Sequence, residues 1–232
     1  MPLVAAHQRY GASPRLVHAA LARLAALLAL VWLAGMAFAG EARAQERTVL
    51  AFGDSLTAGY QLKPGEGFAP RLQEALTARG MDVTVINAGV SGDTSAAGRR
   101  RIEWTLDNLE RTPDLMILEL GANDMLRGID PRETLRNLNA IIEEAKGRGI
   151  DVLLTGMLGP PNMGEDNRRY FNAVYPFLAN RHDLDLYPFF LNGVIFQRQL
   201  LLPDNLHPNA DGVEAIVRGI LPSVEAALRK AS

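Results

Sequence analysis

The sequence predicts an α/β protein, a three-layer α/β/α sandwich around a parallel, flavodoxin-like sheet, and three observations lead there. From Thr48 onward short β-type runs alternate with longer stretches of helical period. Each run ends in glycine or another turn residue. Most of the runs are apolar throughout, as strands covered on both faces must be. Parallel neighbours need right-handed crossovers, so elements alternating at this length put helices on both sides of the sheet.

In chain order, the strands are expected at Thr48 to Phe52, Val83 to Asn87, Leu115 to Leu120 and Val152 to Thr155, with a weaker fifth at Asp185 to Tyr187. Between them Phe68, Leu72, Ala75 and Leu76 recur at helical spacing, and so do Leu135, Leu138, Ile141, Ile142 and Ala145. A last helix, with Val213, Ile216, Val217, Ile220, Leu221, Val224 and Leu228 on one broad face, follows "HPNADG". The segment "GMLGPPNMGEDN", residues 156–167, is too rich in Gly and Pro for regular structure; Met157, Leu158 and Met163 in it either line an acyl groove or pack onto the core.

The amino end reads differently. Leu24 to Ala39 is an unbroken apolar run preceded by Arg9, Arg15 and Arg23, shorter than the roughly 20 residues that span a bilayer. Small residues at Ala37, Ala39, Ala42 and Ala44 offer cleavage after Ala39 or Ala44. Residues 1–44 are therefore expected to be a signal peptide and residues 45–232 a single domain, periplasmic or secreted, with no stable membrane anchor after cleavage. An uncleaved anchor is the alternative. Cysteine is absent, which excludes disulfides and a lipidated cysteine, so the domain must rely on its core.

The full chain has 24 Lys and Arg against 26 Asp and Glu. Residues 1–44 hold four of the arginines and one glutamate, which leaves 20 basic against 25 acidic side chains and a net charge of −5. That balance argues against nucleic acid as a partner. Arg99, Arg100 and Arg101 do not make a basic patch, because successive helical residues point about 100° apart; a solvated helix surface is expected for them.

In a doubly wound sheet, ligands sit outside the carboxyl ends of the strands where strand order reverses. Four stretches fall on that edge. "LAFGDSLTAGY" puts Ser55 just past the first strand, as a turn cap or as a nucleophile. "NAGVSGDTS" follows the second strand, and Gly92 there either shapes a turn or exposes an N–H to a developing oxyanion. "LGAND" follows the third, and Asn123 either makes an Asx turn or donates its amide to the same oxyanion. "PDNLHPN" holds Asp204 and His207 in the loop before the last helix, where a turn can bring the carboxylate to Nδ1–H of the imidazole, or where both simply start the helix. Beyond residue 44 the histidines are His182 and His207, and His182, in "NRHDLD", reads as a helix-end cation. Asp54 is assigned a structural role, capping the turn that holds Ser55.

Together these blocks resemble the SGNH hydrolases, also called GDSL esterases and lipases, and within them the bacterial thioesterase I, lysophospholipase and arylesterase group. The likeness covers essentially all of the chain after the leader, through "AFGDSLTAGY", "NAGVSGDTS", "ELGANDMLRG" and "DNLHPN". Thr57 stands where close relatives often have serine and Ala122 where glycine is frequent, and neither position supplies a catalytic atom. The resemblance implies Ser55 as nucleophile, His207 and Asp204 as the rest of a triad, and an oxyanion hole from Ser55 N–H, Gly92 N–H and Asn123. It implies a small acyl ester, thioester or lysophospholipid substrate, no metal and no organic cofactor; a monomer is expected. Two other readings stay open at this level: an O-deacetylase of carbohydrates using the same triad, and a periplasmic binding module without catalysis.

Overall fold

The structure, a computed structural model, describes residues 46–231, so the leader expected over residues 1–44 lies outside the described residues. The strands are β1 (Arg47–Gly53), β2 (Val83–Gly89), β3 (Leu115–Glu119), β4 (Asp151–Thr155) and β5 (Asp185–Tyr187). They form a parallel sheet in the order β2-β1-β3-β4-β5. β1 and β3 lie inside the sheet and are buried almost throughout, as their uninterrupted apolar runs require. Edge strand β2 alternates buried and exposed side chains at its start instead, so its outer edge is solvated.

The helices are α1 (Ser55–Ala58), α2 (Phe68–Ala78), α3 (Ser95–Asp107), α4 (Ala122–Leu126), α5 (Pro131–Gly147), α6 (Glu165–His182) and α7 (Ala210–Lys230). α6 starts inside the stretch expected to be irregular, taking Glu165 to Asn167 as its first turn; two acids there suit a helix amino end. α2 packs on α7, whereas α3 packs on α5 and α5 on α6. That division follows from handedness: the chain steps one way from β1 to β2 and the other way afterwards, so right-handed crossovers place α2 opposite α3, α5 and α6.

Local chemistry sets the ends of these helices. Asp130 accepts a hydrogen bond from Arg132 N–H and Pro131 occupies the first turn of α5, while Asn209 does the same for Gly212 at the start of α7. Val213, Ile216, Ile220 and Val224 of α7 are buried, each contributing about 1.5–3 kcal/mol of gross apolar burial. Strand order reverses between β1 and β3, and this switch point carries "DS" on one side and "GAND" on the other.

Candidate active site

Asp54 leaves β1 and caps α1, its Oδ1 accepting the N–H of Leu56 at 3.0 Å. Ser55 is thereby the first helical residue. This turn sits tightly on the sheet because Gly89, at the end of β2, has no side chain: a Cβ there would lie 2.3 Å from Ala58 N.

Ser55 Oγ lies 2.9 Å from Nε2 of His207 and 3.5 Å from Oδ1 of Asp54. A hydroxyl has one proton, and the shorter contact takes it, so Oγ–H donates to the imidazole. On the other side of the ring, Nδ1 is 2.6 Å from Asp204 Oδ2, and with Nδ1–H as donor Nε2 is the acceptor. The second oxygen of Asp204 accepts the backbone N–H groups of Leu206 and His207 at 2.9 and 3.0 Å. The same carboxylate thus folds the loop and orients the ring. Leu202 N–H donates to His207 O at 2.8 Å, which ties the loop back to the chain before it. The ring of Tyr60 lies against the imidazole, centroids 4.4 Å apart and planes tilted by 38°.

Asn123 enters from α4. Gly121, at φ +119°, makes the turn from β3, and Tyr175 packs where its side chain would be. Buried Asp124 accepts Ser95 N–H at 2.7 Å, the Ser95 hydroxyl, and Thr134 Oγ1–H at 3.2 Å, fastening α4 to α3 and α5. From that mount the Asn123 amide donates to Asp54 Oδ2 at 3.0 Å, leaving its second N–H for another acceptor. Gly92, at φ +86°, forms the turn after β2, and its carbonyl accepts from Arg127 Nη2 at 2.8 Å. Among the described residues, the N–H groups of Ser55 and Gly92 donate to no protein acceptor.

Two buried acids lie beneath Ser55. Glu119, at the end of β3, is 1% exposed; its Oε2 accepts Thr57 Oγ1–H at 2.9 Å and Asp54 N–H at 3.3 Å, and its Oε1 has no partner among the described residues. Burial, then repulsion from Asp54, pushes the Glu119 carboxyl well above its usual range. Burial likewise pushes Asp54 up to about 6, against the opposing pull of the Leu56 N–H, the Asn123 amide and His207. Asp204 goes the other way: partial burial raises it, but the N–H groups of His207 and Leu206 and the His207 ring together hold it below its ordinary value.

The sequence-derived residues thus meet at one edge, with one correction and one open alternative resolved. Arg101 is not a solvated residue of α3: its Nε pairs with Asp93 at 2.7 Å, its Nη2 donates to Gly53 O at 2.9 Å, and its guanidinium lies 3.9 Å from the centre of the Phe52 ring. Met157 belongs to the core, 4% exposed, whereas Leu158 is exposed and Met163 lines a groove of about 310 Å³ with Met125, Leu126, Ile129 and Pro160. His182 closes α6 and bonds Asn139 at 2.8 Å, apart from Ser55. Reasoning from residues missed Glu119, Tyr60, Arg101 and Arg127. For Arg101 the spacing gave no signal, since three consecutive helical residues span about 200° and can all lie on a solvated face; its turn inward depends on Asp93 and Gly53, which the fold brings to it. Among the described residues no group of three or more His, Cys, Asp or Glu side chains is arranged to hold a metal ion.

Comparison with known proteins adds independent findings. Residues 51–215 match the GDSL-like lipase/acylhydrolase family. The chain is 41% identical over 163 residues to an arylesterase of Vibrio mimicus, covering 70% of this chain and 80% of that one. It is 35% identical over 164 residues to thioesterase 1/protease 1/lysophospholipase L1 of Escherichia coli K12, covering 71% and 76%. Among solved structures, AlinE4, an SGNH-hydrolase family esterase, superposes with a TM-score of 0.68 at 47% identity, over 79% of this chain and 97% of that one.

Proposed function

The chain belongs to the GDSL-like lipase/acylhydrolase family, and from that membership we propose that it hydrolyses acyl esters and thioesters through an acyl-enzyme on Ser55. The observation that carries the assignment is the 2.9 Å approach of His207 Nε2 to Ser55 Oγ, backed by Asp204 at 2.6 Å. In the first half-reaction Oγ attacks the acyl carbonyl carbon while its proton passes to Nε2. The carbonyl oxygen, now an oxyanion, takes hydrogen bonds from Ser55 N–H, Gly92 N–H and the free Asn123 amide N–H. The tetrahedral intermediate collapses, the bond to the leaving oxygen or sulfur breaks, and Nε2 returns the proton to that atom. In the second half, water gives a proton to Nε2 and its oxygen attacks the acyl carbon; the serine ester breaks, the proton goes back to Oγ, and a carboxylic acid leaves. Asp204 holds the ring in the required tautomer and stabilises the imidazolium formed in both halves.

We assign the acyl part to the groove beside α4, whose Met125, Leu126 and Met163 are apolar and adaptable. Export as a periplasmic or secreted enzyme rests on the apolar leader read from the sequence; among the described residues no helix is long and apolar enough to cross a membrane. The test is hydrolysis of p-nitrophenyl esters of increasing chain length, with Ser55→Ala alongside and a fluorophosphonate probe as label. Expected are turnover and labelling in the parent and loss of nearly all of both in Ser55→Ala. Parent-like rates in that variant would remove Ser55 as nucleophile.

A further inference from the structure

The three groups read above as oxyanion donors come from three separate elements: Ser55 from the start of α1, Gly92 from the turn after β2 and Asn123 from α4. Their usefulness depends on a shared focus to within a few tenths of an ångström, because donors stabilise charge only where it develops. The Gly92 turn is the least supported of the three. It is exposed, its residue takes a positive φ, and it belongs to neither a strand nor a helix.

Two arginine side chains span the gaps around it. Arg101 reaches from α3 with two separate nitrogens: Nε binds Asp93, next to Gly92, and Nη2 binds the carbonyl of Gly53, two residues before Ser55. The same Gly53 oxygen accepts Val90 N–H at 3.0 Å, so both of its lone pairs are used at the junction of the two elements. Phe52 lies under the guanidinium plane at 3.9 Å and fixes its tilt. Arg127, immediately after α4, closes the other side through Nη2 to Gly92 O at 2.8 Å. The Arg101 and Asp93 side chains are only 19% and 13% exposed, so water competes weakly for that pair.

We propose that Arg101, seconded by Arg127, is a positioning residue of the acyl-transfer site: Arg101 ties the Ser55 element to the Gly92 turn, Arg127 ties that turn to the Asn123 element, and together they set the geometry of the oxyanion hole. Neither arginine touches the reacting atoms in this role. A lysine cannot replace Arg101 fully, since one ammonium is a point donor and cannot hold the planar, two-directional fork between Asp93 and Gly53 O. The inference rests on the catalytic reading above.

The test separates geometry from folding by counting working sites. Parent, Arg101→Gln, Arg101→Lys, Arg127→Ala and Ser55→Ala are titrated to completion with a fluorophosphonate, and kcat and KM on a p-nitrophenyl ester are referred to the titrated serines. Loosening one donor should lower kcat roughly tenfold to a hundredfold in Arg101→Gln, with KM within about threefold of the parent. Arg101→Lys should recover part of that loss, and Arg127→Ala, which removes an exposed side chain, should lose about threefold to tenfold. A kcat per titrated serine within twofold of the parent in folded Arg101→Gln overturns the brace. If Arg101→Gln does not fold, the same result in Arg127→Ala overturns it. Ser55→Ala keeping parent activity would sink the catalytic reading and the brace together, whereas an inactive Ser55→Ala beside an unimpaired Arg101→Gln sinks the brace alone.

Discussion

Asn123 gives one amide N–H to Oδ2 of Asp54 at 3.0 Å, while the other oxygen of that carboxylate holds the Leu56 N–H at 3.0 Å. A single buried side chain therefore sets both the turn that presents Ser55 and the direction of the amide proposed to polarise the substrate. Asp54→Ala should lose a cap contribution of about 1 kcal/mol and leave the amide free to rotate, lowering kcat at least roughly tenfold. Asn123→Ala should cost about 3 kcal/mol in the barrier, a slowing of roughly a hundredfold or more, with little change in melting temperature. Steady-state kinetics paired with thermal melts read both, and an Asp54→Ala enzyme with unaltered kcat would break the link.

Tyr60 packs its ring on His207 at 4.4 Å, and His207 sits in a loop that is otherwise largely solvated. A ring pair of this kind is worth about 0.5–1.5 kcal/mol, so Tyr60→Ala should slow turnover roughly twofold to tenfold by letting the imidazole wander. Tyr60→Phe keeps the ring and should stay close to the parent. Equal losses in both variants would point to the hydroxyl instead.

The buried acids set how stability depends on pH. The folded-state value of Asp54 is raised from 3.8 to about 6, so its contribution is full below about pH 4 and is lost as pH rises through 6. Glu119 is raised in the same sense, so its contribution too is full at low pH and is lost as pH rises. Asp204, lowered in the folded state, acts in a separate window: its contribution is present above about pH 4 and lost on further acidification. Glu119→Gln keeps the shape of the protonated acid without its charge. Its melting temperature should fall less than the parent's as pH rises above about 5. Parallel curves would mean that Glu119 carries no strain from ionisation.

Gly89→Ala tests the seat of α1. Its methyl group would lie 2.3 Å from a backbone nitrogen that has nowhere to go without moving Ser55. We expect a loss of about 1–3 kcal/mol in denaturant melts together with a fall in kcat. Lost stability with kcat per titrated serine unchanged would show that α1 shifts without disturbing the hydroxyl.

Much of the architecture was legible because it is written in local spacing. Short, mostly apolar runs marked all five strands, every end to within two residues, and period-3.6 runs marked the helices α2, α5 and α7, since burial on both faces of a strand and on one face of a helix each leave a local pattern. The start of α6 was misread because Gly and Pro at 159–164 masked a helix beginning one residue later. Met157 was ambiguous for a related reason: an apolar side chain in a Pro-rich loop has no period to say whether it faces core or groove.

By itself the sequence determined which chemistry was available: one serine after the first strand, one Asp–His pair before the last helix, an amide and a glycine on the same rim, and a parallel sheet to carry them. The tertiary structure alone decided that Ser55 and His207, 152 positions apart, meet at 2.9 Å, that Arg101 turns inward to Asp93 and Gly53, and that Glu119 is sealed beneath the site. Residue type and periodicity act over a turn or two of chain, whereas contact distances, burial and the pKa shifts that follow from burial depend on which distant elements pack together.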